Sequence, residues 1–79
     1  MSHRQRVGRA ARKLLETLDV LEASDFVTCE HDVHRLIRQA ASPDALSPRD
    51  VWEEAVEIEG DPLRRQRHVL GRGWRPNLT

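Results

Sequence analysis

At 79 residues, with 38% hydrophobic and 33% charged side chains, the chain has the size of one small domain, in which about 60% of the unfolded surface is buried on folding. That length leaves no room for a catalytic domain beside a regulatory one, and the apolar residues are periodic, which excludes wholesale disorder. The single Cys29 excludes an internal disulfide framework, no apolar run reaches the roughly 18 residues of a membrane span, and the formal net charge is zero.

That zero hides a sorted distribution. Residues 1–15 hold Arg4, Arg6, Arg9, Arg12 and Lys13 and no acid. All 13 acids fall within residues 16–61, against Arg35, Arg38 and Arg49, and residues 62–79 hold five arginines and no acid. Two basic ends around an acidic middle point to polyanion contact at the ends or to head-to-tail pairing between molecules. The preference for arginine over lysine fits bidentate phosphate contact as well as a GC-rich genome. The Arg-rich start shares its composition with a mitochondrial presequence, but the same helix runs on into Glu16 and Asp19, so the expected location is the cytoplasm.

The first segment, "RVGRAARKLLETLDVLEA", places Val7, Ala11, Leu14, Leu18 and Leu21 at spacings of four, three, four and three, with Leu15 widening the stripe. Such a seam serves either a helix packed on its own core or a two-heptad dimer interface. Gly8 weakens the start of this helix by about 1 kcal/mol relative to Ala, so residues 1–6 are expected to fray. After a break at "ASDF", "TCEHDVHRLIRQAAS" resumes a helical pattern with Val33, Leu36, Ile37, Ala40 and Ala41 on one side and Thr28 as the expected N-cap. Glu30 and Asp32 early and Arg35 and Arg38 late follow the order that the helix dipole favours, and Pro43 ends the helix at Ser42.

The third helix has the clearest start signal. Ser47 is the expected N-cap, Pro48 the first helical residue, and Leu46 and Val51 a hydrophobic staple. Val51, Trp52, Ala55, Val56 and Ile58 form its apolar side, Glu53, Glu54 and Glu57 its wet side, and Gly60 its end. Asp61 and Pro62 open a fourth helix, anchored by Leu63, Val69 and Leu70 with Arg64, Arg65 and His68 outward, until Gly71 and Gly73 break it. The turn-rich "GWRPN" leaves room for a short extended segment at Trp74, and residues 75–79 are expected to be loose. The whole reads as an all-α, four-helix single domain with a helix-turn-helix-like C-terminal half.

Three constellations carry possible chemistry. "CEHDVH" gathers Cys29, His31 and His34, but at 100° per residue Cys29 lies about 160° from His31, so the three do not converge on a metal. Cys29 is expected to be buried and the histidines solvated, with no metal and no cofactor. A cysteine nucleophile lacks an oxyanion or phosphate loop, and Glu53, Glu54 and Glu57 have the spacing of a solvated face, so no enzyme activity is expected. The unit from Ser47 to Leu70 differs, because a second helix carrying Arg64, Arg65 and His68, followed by Arg72 and Arg75, has the residue types that hold guanine edges and phosphates. The bland reading of the same residues is a helical hairpin whose arginines pair with the acids before them. Val56 stands where the turn pattern wants a small residue and Gln66 where it wants an apolar one.

The run "LSPRDVWEEAVEIEGDPLRRQRHVLGRGWRP" resembles the C-terminal winged-helix segment of phage and plasmid primase-helicase proteins of the virulence-associated E type. Ser47, Asp50, Val51, Arg64, Arg67, Val69, Leu70, Gly73, Trp74 and Arg75 carry the resemblance, over about 30 of the 79 residues. It implies a nucleic-acid-binding accessory domain of a phage, mobile element or bacterium, without primase or helicase activity. Two functions are therefore expected. One is a regulator or accessory protein that binds duplex DNA through Arg64, Arg65, His68, Arg72 and Arg75, with a homodimer through Val7, Ala11, Leu14, Leu18 and Leu21. The other is a protein-binding module, such as a phage-encoded inhibitor or an adaptor, that engages a host protein through the acidic third helix and Trp52 or Trp74, aromatic residues of the kind that anchor interfaces. Neither involves a membrane.

Overall fold

The computed structural model describes residues 2–23 and 29–78. Among these, all regular structure is helical: α1 (His3–Ala23), α2 (Glu30–Ala41), α3 (Pro48–Glu59) and the single-turn α4 (Arg67–Leu70), with 3₁₀ turns at Ser42–Asp44 and Arg64–Gln66. The break expected at 23–26 and the Thr28 cap fall largely outside the described residues.

Each of the three long helices touches the other two, and α1 packs most extensively on α3. Val7, Ala11, Leu14 and Leu18 of the heptad-like stripe turn inward and are buried, Ala11 completely, while Leu21 is half-buried. Val33, Ile37 and Ala41 of α2, Val51 and Ala55 of α3, and Leu63 and Leu70 beyond it complete the same core. Each large side chain in it contributes about 1.5–3 kcal/mol relative to exposure. Four of the five seam residues expected at a dimer interface are thus enclosed within one chain.

α1 begins earlier than the glycine suggests. The Ser2 hydroxyl accepts the Gln5 N–H at 3.2 Å, and the Gln5 side chain accepts the Ser2 N–H at 2.9 Å. This is a reciprocal capping box, and it holds the turn that was expected to fray. At α2, Cys29 occupies the N-cap position, and the helix stops at Ala41, where the Ser42–Asp44 turn passes into Ala45 with φ 52°. α3 runs from Pro48 behind Ser47 to Glu59, and Gly60 ends it at φ 84°, a backbone region that costs any residue with a Cβ.

The apolar side of α3 is narrower than its sequence suggests. Val51 and Ala55 are buried and Trp52 is half-buried, but Val56 and Ile58 are 37% and 43% exposed. Val56 lies about 140° around the helix from Val51 and so faces outward, whereas Ile58 has a core-facing angle but sits in the last turn.

The largest departure lies after Gly60. In place of a continuous helix from Asp61 to Leu70, the chain makes a turn, three 3₁₀ residues and four α-helical ones. Asp61 caps the turn by accepting the Leu63 N–H at 3.0 Å. The tighter 3₁₀ step changes the phase, so Gln66 joins Leu63 and Leu70 inside while Val69, expected as an anchor, is 46% exposed.

Candidate functional site

Three of the five arginines after Asp61, namely Arg64, Arg65 and Arg67, are held by acids of the same chain. Arg64 Nη1 lies 3.3 Å from a Glu59 carboxylate oxygen, and Arg65 Nη1 lies 2.7 Å from Glu22 near the end of α1. The Glu22 side chain is only 10% exposed, and its other oxygen accepts the Gln66 side-chain N–H at 2.7 Å. One carboxylate therefore clasps the 3₁₀ turn to α1. The clasp leaves Gln66 Oε1 buried without a partner.

Arg67 does the most work in this region, although the sequence marks it out only through the family resemblance. Its guanidinium grips both oxygens of Asp61, Nε to Oδ2 at 2.9 Å and Nη2 to Oδ1 at 3.0 Å. Nη1 donates to the Gly71 and Trp74 carbonyls at 3.1 and 2.6 Å. This planar fork ties the start of the turn to the C-terminal tail. The Arg67 hydrogen bonds, helped by the Leu63 N–H, hold the Asp61 carboxyl below the ordinary aspartate range against the opposing effect of burial, and Asp61 in turn raises Arg67.

The tail is also fastened to α2. Trp74 meets the His34 ring edge-on at 5.6 Å between centroids, and the Asn77 N–H donates to His34 Nε2 at 3.0 Å. His34 Nδ1 lies 2.9 Å from the Glu30 carbonyl, which can only accept, so Nδ1 carries the proton and Nε2 acts as acceptor. His34 is thus a half-buried structural group. Cys29, expected to be buried, is exposed and donates to Asp32 at 3.2 Å, because it precedes the first inward-facing residue of α2. Among the described residues, no group of three or more His, Cys, Asp and Glu side chains is arranged to hold a metal ion.

Tail, α1 and α3 together frame a broad groove of about 1120 Å³. Val7, Trp52, Val56, Pro62, Pro76 and Leu78 supply its apolar surface. α3 contributes Asp50, Glu53, Glu54 and Glu57, facing Arg4 from α1 and Arg75 from the tail. Arg49 pairs with Glu53 at 3.2 Å, and His3 approaches Asp50 at 4.0 Å. Among the described residues, Glu54 and Glu57 have no ion pair or side-chain hydrogen bond.

The five residues expected to touch DNA do not gather in one depression. Arg64 and Arg65 line a small crevice with Asp19 and Glu22 of α1, whereas Arg75 lines the groove, and the linings of these two depressions share only Pro62. His68 and Arg72 are exposed and belong to neither. Sequence patterning did not disclose the groove, because Arg4, Trp52 and Leu78 meet only through the tertiary fold. Its α3 wall was the part open to sequence reading, through Trp52 and the acids of that helix.

No family model, curated protein or solved structure matches the chain. The class that fold and site define is accordingly a small all-helical bundle with a charged groove beside its third helix. No helix among the described residues is long and apolar enough to cross a membrane.

Proposed function

We propose that the chain is a non-catalytic protein-binding module that takes a basic, apolar-anchored segment of a partner protein into the groove beside α3. The observation that carries this reading is the juxtaposition of Trp52 and Val56 with the unpaired carboxylates of Glu54 and Glu57 on one groove wall. An amphipathic segment laid there would bury apolar anchors against Trp52 and Val56 and bring cations to the acids, the arrangement by which helix-in-groove partners are recognised. An inhibitor or adaptor of a phage or bacterium is the kind of protein this describes. The same acids would repel a phosphate backbone.

A helix-turn-helix reader working through Arg64 and Arg65 is disfavoured by two observations. Both side chains already bond to acids, and the element that would enter the major groove is a 3₁₀ turn followed by four helical residues. Such an element is too short to lie along base edges, so the winged-helix resemblance gains no support from the arrangement of residues 61–70.

The test uses a Trp74→Phe background, so that Trp52 alone fluoresces, titrated with a synthetic amphipathic peptide of leucine and lysine. Saturable binding with a shift in Trp52 emission, weakened at least tenfold by Glu54→Lys with Glu57→Lys, is expected. Equal binding by the charge-reversed variant, or no change in emission, would sink the proposal.

A further inference from the structure

α1 carries its charge against its own electrostatics. Arg4 and Arg6 stand at the positive end of the helix dipole, no acid occupies the first turn and no base the last. Arg6, Arg9 and Arg12 follow at spacings of three, and Lys13 lies four after Arg9, so like charges face one another along the helix. α2 shows the opposite order, with Glu30 and Asp32 in its first turn and Arg38 in its last.

These cations share one surface. Val7, Ala11, Leu14 and Leu18 point into the bundle. At 100° per residue, Arg6, Arg9, Arg12 and Lys13 fall within about 60° of the direction opposite Leu18. All four are exposed. None has an ion pair or a hydrogen bond from its side chain among the described residues, which is true also of Arg4, Arg38, Arg72 and Arg75, whereas Arg35, Arg49, Arg64, Arg65 and Arg67 have acid partners. α3, with most of its acids, packs on α1 through the buried stripe, and the one acid at the same angle as these cations is exposed Glu16, which bounds the face at its C-terminal end.

We infer that the outer face of α1, formed by Arg6, Arg9, Arg12 and Lys13, is a binding surface for the phosphate backbone of a nucleic acid. Its length, about 10 Å at 1.5 Å per residue, matches a stretch in which a duplex presents about six phosphates. Phosphates placed there neutralise both the repulsion between the cations and their conflict with the dipole, so an arrangement unfavourable in the free protein becomes favourable in the complex. A bilayer surface fits less well, because the apolar face that an interfacial helix inserts into lipid is here enclosed in the core. Contact through phosphates alone carries no sequence preference. This surface is separate from the groove and does not depend on what the groove binds.

Fluorescence anisotropy with a short labelled DNA duplex provides the test, with phosphatidylserine vesicles as the competing anionic surface. The wild-type chain is expected to bind the duplex with a log–log salt slope of about −3 to −4, the value for four phosphate contacts. The variant Arg6→Gln/Arg9→Gln/Arg12→Gln/Lys13→Gln should bind at least tenfold more weakly while melting at or above the wild-type temperature. Arg64→Gln/Arg65→Gln should leave duplex affinity within twofold. Absence of duplex binding at low salt, unchanged binding by the quadruple variant, or a quadruple variant that melts below wild type overturns the inference. Vesicle binding as tight as duplex binding overturns it too and assigns the face to lipid.

Discussion

Asp61 and Arg67 show how much one polar pair organises here. Asp61 caps the turn through the Leu63 N–H and receives the Arg67 fork, which also reaches the Gly71 and Trp74 carbonyls. The carboxyl titrates below its ordinary value in the folded chain because Arg67 hydrogen-bonds its charged form. A group depressed on folding stabilises the fold above its unfolded pKa and loses that contribution as pH falls through the folded value. Acid unfolding monitored by circular dichroism should therefore show stability declining below the ordinary aspartate range. Asp61→Asn should lower stability at neutral pH and flatten that part of the profile, and an unchanged profile would remove Asp61 from this role. The sequence disclosed Asp61 as a cap but gave Arg67 no distinct role, because two of its acceptors are backbone carbonyls, which residue types do not reveal, and its acid partner lies six residues before it, off any shared helix face.

At the scale of elements, the interior of each long helix was legible and its use was only partly so. Ser47-Pro48 and Gly60 bracket α3 as their backbone preferences require, and Pro43 closes α2. "SHRQ" carried a capping signal that outweighs Gly8, since two reciprocal hydrogen bonds fix the first turn before the glycine is reached. The fourth helix failed for a different reason. Reading Asp61-Pro62 as a helix start is sound locally, but Glu22 draws Arg65 and Gln66 towards α1 and selects a 3₁₀ path. That competition is tertiary and leaves no trace in the segment itself. The clasp makes a paired prediction for chemical denaturation. Glu22→Ala leaves the Gln66 amide buried without its partner and should cost about 1–3 kcal/mol, whereas Gln66→Leu also removes the orphaned Oε1 and should be neutral or stabilising. Comparable losses in both variants would show that the Gln66 hydrogen bond, rather than the burial of its stem, holds the turn.

Over the whole molecule, the charge sorting seen in the sequence divides into three uses. Arg64, Arg65 and Arg67 are internal fasteners, acids of α3 form a wall of the groove with Arg4 and Arg75 across from them, and Arg6, Arg9, Arg12 and Lys13 of α1 stand on the outer surface. Composition gave the blocks, but which cation meets which acid depends on helices packing across sequence separations of about 43 residues, as for Arg65 and Glu22. The heptad-like seam illustrates the same limit, because its spacing suits a dimer and a three-helix core equally well, and here it fills the core. Everything proposed for the groove rests on Trp52, Val56, Glu54 and Glu57 acting as one recognition surface. The most direct test is a two-dimensional ¹H–¹⁵N NMR titration of the chain with the leucine–lysine peptide. The account predicts saturable shifts at the Trp52 indole, Val56, Glu57 and Leu78 with residues 64–68 unmoved; shifts confined to residues 64–68, or none, would contradict it.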